Sequence, residues 1–192
     1  ETASSSWVSG GWITAYAGGN LDGYVVKLSP TGAHVWSTYL GGTDEDMSQG
    51  VTLDSNGNCY ATGLTKSLGW VSGGWQTAYQ GGNSDGFVVK LSAAGMHLWS
   101  TYFGGTGYDQ GESVGVDASG NCYVAGETTS SGWASGGWQT TLGGDWDGCA
   151  LKLGPAGTPL WSTYLGGAGY ETADGMSLDS NGNCYVSGRT AS

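Results

Sequence analysis

Positive charge is scarce in this sequence. Four Lys and one Arg stand against 16 acidic residues, for a net charge of −11 over 192 residues. A nucleic-acid interface needs a basic face that displaces counterions, and so few scattered cations make none. The same imbalance repels an anionic membrane surface. No apolar run reaches the roughly 18 residues of a helical membrane span. Neither nucleic acid nor membrane insertion is therefore expected. With only 2 His and no Cys-x-x-Cys spacing, a zinc site is not expected either. Charged residues make up just 11 % against 12 % aromatic, which argues against disorder. Pro is rare and Gly does not fall at every third place, so the chain is not collagen-like. It opens at Glu1 with neither Met nor an apolar signal segment and is read as a mature or excised product.

What is abundant is Gly, at 39 residues, together with 10 Trp and 11 Tyr. That mixture suits short strands joined by tight turns in which Gly supplies positive φ. The order of these residues is periodic. Asp54-Ser-Asn-Gly-Asn-Cys-Tyr60 recurs at Asp117 and again at Asp179. Trp36-Ser-Thr-Tyr39 recurs at Trp99 and Trp161. Asp22-Gly-Tyr-Val-Val-Lys-Leu28 matches 85–91 and, more loosely, 147–153, and a Ser-Gly-Gly-Trp string ends at Trp12, Trp75 and Trp138. All four share one offset, which defines three modules of about 62 residues. Their approximate bounds in a single repeat domain are 1–63, 64–126 and 127–188. Residues 189–192 return to the phase of 1–4, since both tetrapeptides align with 127–130.

Each module reads as four short strands. Residues 51–54 and 58–62 flank a Ser-Asn-Gly turn, a strong hairpin signal. Residues 23–28 carry the loose alternation of a strand buried on both faces, and 34–40 follow across a Pro-Thr-Gly turn. A longer Gly/Trp-rich loop, such as 64–84, joins one set to the next. The strings DGFVVKLSAAGMHLWSTYFGG and VDASGNCYVAGETTS resemble the bacterial β-propeller repeats known as SBBP repeats, and the resemblance spans the chain three times over. It implies an all-β fold of four-stranded blades set around an axis. It informs fold far more than function, because the family has no single established activity. A β-trefoil or β-prism is also threefold, but modules of this length are long for either.

By the same resemblance, 51–54 is an inner strand and 34–40 an outer one. The chain then begins with two outer strands and ends with two inner ones, a circularly permuted arrangement. Propellers have about four or more blades, so three cannot shut on themselves. The half-blades expose strand edges that invite another chain. Strand exchange should complete them, with Cys184, Tyr185 and Val186 of one copy antiparallel to Tyr24, Val25 and Val26 of another. That joint would repeat the contact of 122–125 with 149–151. Head-to-tail contacts give a ring or an open filament. A ring of two chains is favoured over a ring of three or a filament, and the sequence is alternatively a window on a longer polypeptide.

Candidate sites are weighed on the same frame. Trp7, Trp70 and Trp133 each precede Trp12, Trp75 and Trp138 by five residues. Such paired indoles in Gly/Ser-rich loops pack between blades or stack on sugar rings, so glycans are a possible partner and a multivalent lectin the alternative function. Asp44, Glu45 and Asp46 form an acidic run that reads as a calcium site or a solvated loop, solvation being favoured. Asp54, Asn56 and Asn58 offer alternate oxygens but lack a distal Glu, so a plain turn is preferred; no other cofactor is expected. The four cysteines (Cys59, Cys122, Cys149 and Cys184) are expected to be free and buried. His34 and His97 are equivalent, with Thr158 taken as their counterpart, and no catalytic constellation is found. The expectation is a non-enzymatic, extracellular or cell-surface module that assembles with itself.

Overall fold

The computed structural model describes residues 7–191, which form twelve strands and no helix. In order they are β1 (Gly23–Leu28), β2 (His34–Leu40), β3 (Asp46–Leu53), β4 (Cys59–Thr65), β5 (Asp85–Leu91), β6 (His97–Phe103), β7 (Asp109–Val116), β8 (Cys122–Thr128), β9 (Asp147–Leu153), β10 (Pro159–Leu165), β11 (Gly175–Leu178) and β12 (Cys184–Ser187). Two sheets are complete, ordered β3-β4-β5-β6 and β7-β8-β9-β10, and two are pairs, β1-β2 and β11-β12. Each is an antiparallel meander. The register Leu28↔His34, Leu91↔His97, Leu153↔Pro159 corrects the sequence alignment: Pro159, not Thr158, stands where the other modules have His. The overlap assigned to residues 1–4 and 192 lies outside the described residues.

The repeated motifs have local causes. In the β3–β4 hairpin Gly57 takes φ +76°, and its counterparts Gly120 and Gly182 take +80°, a region L-residues avoid. Asp54 Oδ1 accepts the amides of Asn56 and Asn58, each at 2.9 Å, so the side chain closes the turn on itself. Ser-Gly-Gly-Trp has a different cause, one that the sequence hid. These loops run beside the outermost strand of each sheet. Ser37 and Tyr39 donate their amides to the carbonyls of Ser9 and Ile13, both at 2.8 Å. The Ser and Thr of Trp-Ser-Thr-Tyr return the tie: the Ser9 amide reaches Ser37 Oγ at 3.0 Å and the Ile13 amide reaches Thr38 Oγ1 at 2.8 Å. The pattern recurs at Ser72 and Gln76 on β6 and at Ser135 and Gln139 on β10. A Cβ on the second Gly of the motif, Gly11, Gly74 or Gly137, would sit 2.5–2.7 Å from that strand's carbonyl oxygen. Only Gly permits the approach, and the outer edges at β2, β6 and β10 are thereby covered.

The cores lie between sheets. Trp36 and Leu40 pack with Cys59, Ala61, Phe87, Val89 and Leu91, joining β1-β2 to the first complete sheet. Tyr60, Val88, Trp99 and Phe103 pack with Val114, Cys122, Val124, Cys149, Leu151 and Leu153, joining the two complete sheets. Strand β3 lies against β7, and β7 against β11, so the first strands of successive sheets approach one another. All four cysteines are free. Cys59, Cys122 and Cys149 are buried, and Cys184 is half-buried. Cys122 and Cys149 sit at opposite ends of the β8–β9 ladder.

A buried acid clamps each crossing from one sheet to the next. Asp46, at the start of β3, accepts hydrogen bonds from the Thr65 hydroxyl, from Ser67 Oγ at 2.7 Å and from the Gly42 amide at 2.8 Å. Asp109 does the same with Thr128, Ser130 and Gly105. In the last module Glu171 takes the role, held by the Gly167 amide at 2.8 Å and Thr190 Oγ1 at 3.0 Å. Thr65 and Thr128 also accept the indole N–H of Trp70 and Trp133, so acid, hydroxyl and indole form one network.

A second set of buried acids is less well served. Asp85 has no exposed surface; its Oδ2 accepts the Gln80 amide at 2.8 Å while Oδ1 has no partner. Desolvation pushes its pKa up to about 7, and that of Asp22 to about 6. Both therefore bind a proton more tightly folded than unfolded. The folded state holds extra protons from about pH 4 to pH 7, and stability falls as pH rises through that window.

Three outcomes follow. Denatured, unreduced protein should titrate four thiols with a thiol reagent; finding none would mean disulfides. Thr128→Val keeps the shape but strips Asp109 and Trp133 of a partner, and should lower unfolding free energy by about 1–3 kcal/mol in urea titrations. Asp85→Asn should flatten the decline in stability between about pH 4 and pH 7 relative to the parent; an unchanged slope would refute the assignment to Asp85.

Candidate assembly interface

The two half-sheets leave matching positions uncovered. Leu28 on β1 is 58 % exposed, whereas its counterparts Leu91 and Leu153 are at most 1 % exposed inside complete sheets. Val51 on β3 is 62 % exposed, against 9 % for Val114 on β7. At the other end Tyr185 on β12 is 62 % exposed, while Tyr60 and Tyr123 are sealed. The chemistry is the same at all of these places, so exposure follows from the missing neighbour and not from residue type.

The N-terminal gap is a groove. Two adjoining cavities of about 320 and 340 Å³ run along the open edge of β1, floored by Gln49, Gly50, Val51, Thr52 and Leu53 of β3. Tyr24, Val25 and Val26 line it on one side. β1 is bonded to β2 along its far edge, and at the near edge Ser48 Oγ donates to the Tyr24 carbonyl at 3.2 Å and accepts its amide at 3.3 Å. A single side chain thus holds one position of an otherwise open ladder. At the C-terminal end Cys184, Tyr185 and Val186 pair with Leu178, Ser177 and Met176 of β11. Their outer side faces the place that β9 occupies beside β8. There Tyr123, Val124 and Ala125 pair with Lys152, Leu151 and Ala150.

The chain belongs to the SBBP beta-propeller repeat family. That family's model matches three times, at residues 35–69, 98–132 and 160–192, together more than half of the chain. The matched stretches begin within β2, β6 and β10 and run through the hairpin of the following sheet, so each straddles the acid-clamped crossing. A stretch of 113 residues, 56 % of this chain, is 26 % identical to an uncharacterized WD repeat-containing protein, L264, of Acanthamoeba polyphaga mimivirus. The stretch covers only 8 % of that protein's length.

Within this SBBP-repeat chain the paired tryptophans do not form a repeated open pocket. Trp70 lies edge-on to Phe87 and Tyr102, and Trp133 lies against Phe103 and Tyr164. Trp12 stacks on His97 with ring centroids 4.1 Å apart, and Trp75 packs on the larger core. Trp7 meets Tyr24 edge-on at 5.1 Å. Indoles fill the wedge between sheets that diverge from β3, β7 and β11 outward. Of the six, only Trp138, at 84 % exposed, turns most of its surface to solvent.

The acidic run is likewise dispersed. Asp46 is buried in the clamp, Glu45 pairs with Lys66 at 3.4 Å, and the Asp44 backbone amide is held by Ser67 Oγ. Asp44 and Glu45 lie in the crossing before β3, and with Asp46 turned into the clamp the three carboxylates do not converge on a metal site. No cluster of three or more His, Cys, Asp or Glu suited to a metal occurs among the described residues. Asp54 spends its oxygens on the turn, and the Asn58 and Asn56 bonds outweigh desolvation and hold its pKa below the usual carboxylate range. The burial of Asp46 is not legible in the sequence because its partners Thr65 and Ser67 lie about 20 residues away.

Native-state labelling reads out the asymmetry of the ends. Cys184 should be the first thiol alkylated in dilute native protein, ahead of Cys59, Cys122 and Cys149, as mapped by mass spectrometry. Preferential labelling of a buried thiol would contradict the placement of β12.

Proposed function

We propose that this chain is a structural module that assembles head to tail, each copy completing the half-blade of the next. The observation that carries the reading is the contrast just described. Positions sealed in the complete sheets lie open at the two ends, and each end presents the strands that the other lacks. Tyr185 and Val186 of one copy would occupy the groove floored by Val51 and edged by Tyr24–Val26 of the next. Ladder hydrogen bonds and apolar faces would then give a contact resembling a domain core, as obligate interfaces do.

A ring of two copies supplies six blades, within the range that propellers adopt. An open filament is the competing outcome of the same contact. An extracellular or cell-surface setting belongs to this reading, where the acidic surface favours solubility and buried thiols are shielded from oxidation. The lectin alternative retains the exposed face of Trp138 and the partly exposed Trp7, which are not equivalent positions and do not give one site per blade.

Sedimentation or light scattering at micromolar concentration should give a particle of twice 19.5 kDa for a closed pair, or a broad high-mass distribution for filaments. A stable folded species of 19.5 kDa overturns the reading. Val51→Asp changes an exposed side chain, so its circular dichroism should match the parent while the particle dissociates.

A further inference from the structure

Outside the strand edges, the chain makes a second kind of contact between successive sheets, and makes it twice. Trp36 Nε1 donates to the Ala93 carbonyl at 3.1 Å, and Trp99 Nε1 donates to the Pro155 carbonyl at 2.9 Å. Each acceptor lies in the tight turn between the last two strands of the next sheet. The Gly that closes that turn lies against the same indole. A Cβ on Gly95 would meet the Trp36 ring at 2.7 Å, and one on Gly157 would meet Trp99 at 2.9 Å. Lys27 and Lys90 add their ammonium groups to the same two carbonyls. Farther out, Trp12 stacks flat on His97 of the next sheet.

At the chain's ends every part of this contact is present and unmatched. Trp161, the third indole of the series, is half-buried where Trp36 and Trp99 are buried. Trp138, counterpart of Trp12, is 84 % exposed. At the other end Gly32, counterpart of Gly95 and Gly157, has nothing within 4 Å of a Cβ position, although it keeps the same φ of +80°. His34 is exposed, yet its Nε2 lies 2.9 Å from Ser37 Oγ, as His97 Nε2 lies from Ser100 Oγ. The His34 imidazole thus makes the same contact within its sheet as the imidazole that receives Trp12.

We infer that Trp138 and Trp161 are one half of an interblade latch whose other half is His34 and the Pro30–Gly32 turn of a second copy. Trp138 stacks on the partner copy's imidazole, and the Trp161 indole N–H donates to the carbonyl of its Pro30, over a Gly that leaves room for the ring. Lys152, free of any turn carbonyl and resting 4.6 Å from the Tyr123 ring, supplies the ammonium that Lys27 and Lys90 supply elsewhere. The inference rests on head-to-tail completion but adds a surface distinct from the strand edges, and it fixes the occupant by chemistry. An aromatic pair of this kind is worth about 0.5–1.5 kcal/mol beyond its buried area, and buried Trp anchors are typical interface hot spots.

The test is the dissociation constant of the full-length chain, from sedimentation velocity over a dilution series. Trp138→Ala and His34→Ala should each weaken assembly about tenfold or more, with circular dichroism unchanged because both side chains are exposed. The double variant should lose less than the product of the two, as expected for partners in direct contact. Hydroxyl-radical footprinting of the unmodified protein gives an independent reading: Trp138 should be protected at assembling concentrations and oxidised on dilution. A wild-type particle that assembles while both variants keep its dissociation constant, or while Trp138 oxidises equally in both states, overturns the latch and leaves blade completion standing. A wild-type protein that stays monomeric overturns the underlying reading instead.

Discussion

The fold depends on a carboxylate held out of water at each crossing between sheets. Asp46, Asp109 and Glu171 each gather a backbone amide from the crossing that precedes them and a Thr hydroxyl from the end of the following hairpin. Without that group, the Gly-Gly crossing would have no fixed angle, and the first strand of the next sheet would not be placed against its neighbour. A buried acid is costly unless its oxygens are satisfied. Here the first two are satisfied by the same Thr that receives the wedge indole, so packing and polar satisfaction are set by one residue. Gly41 and Gly104 leave the space that this acid fills, since a Cβ on either would fall within the carboxylate.

The parts of this fold that could be read from the sequence are those whose cause is local. The Asp-x-x-Gly-Asn hairpins announce themselves because Asp54 bonds amides two and four residues onward, and the Gly supplies its own positive φ. The phase of the repeat, and with it the half-sheets at the ends, follows from counting motifs. The reason for the loops is distant. Gly11, Gly74 and Gly137 are small to admit a strand some 25 residues later in the chain, and nothing around them says so. Asp46 looked like one of three solvent-facing acids; only Thr65 and Ser67 reveal it as buried. Which indole of each pair is exposed was also unreadable, because exposure of Trp138 reflects the missing outer strands of the sheet that follows and not its own surroundings.

Electrostatics has a secondary part in holding the chain together. The cations are all engaged: Lys27 and Lys90 on turn carbonyls, Lys152 near Asp117 and the Tyr123 ring, Lys66 on Glu45, Arg189 on Asp174. Exposed pairs of this kind contribute about 0–1 kcal/mol each, far less than the interleaved indoles and aliphatic strands. Their more visible effect is to leave the remaining surface acidic.

The loops that lie along β2, β6 and β10 have a consequence for the topology of any larger object built from this chain. By bonding the outermost strand of each sheet to its own polypeptide, they remove the rim as a place where sheets could extend sideways. Under the proposed head-to-tail completion, what remains is a building block with one donor end and one acceptor end. In the language of polymer chemistry such a block would be bifunctional and polar: it would grow in line or cyclise, without branching or cross-linking through its rim.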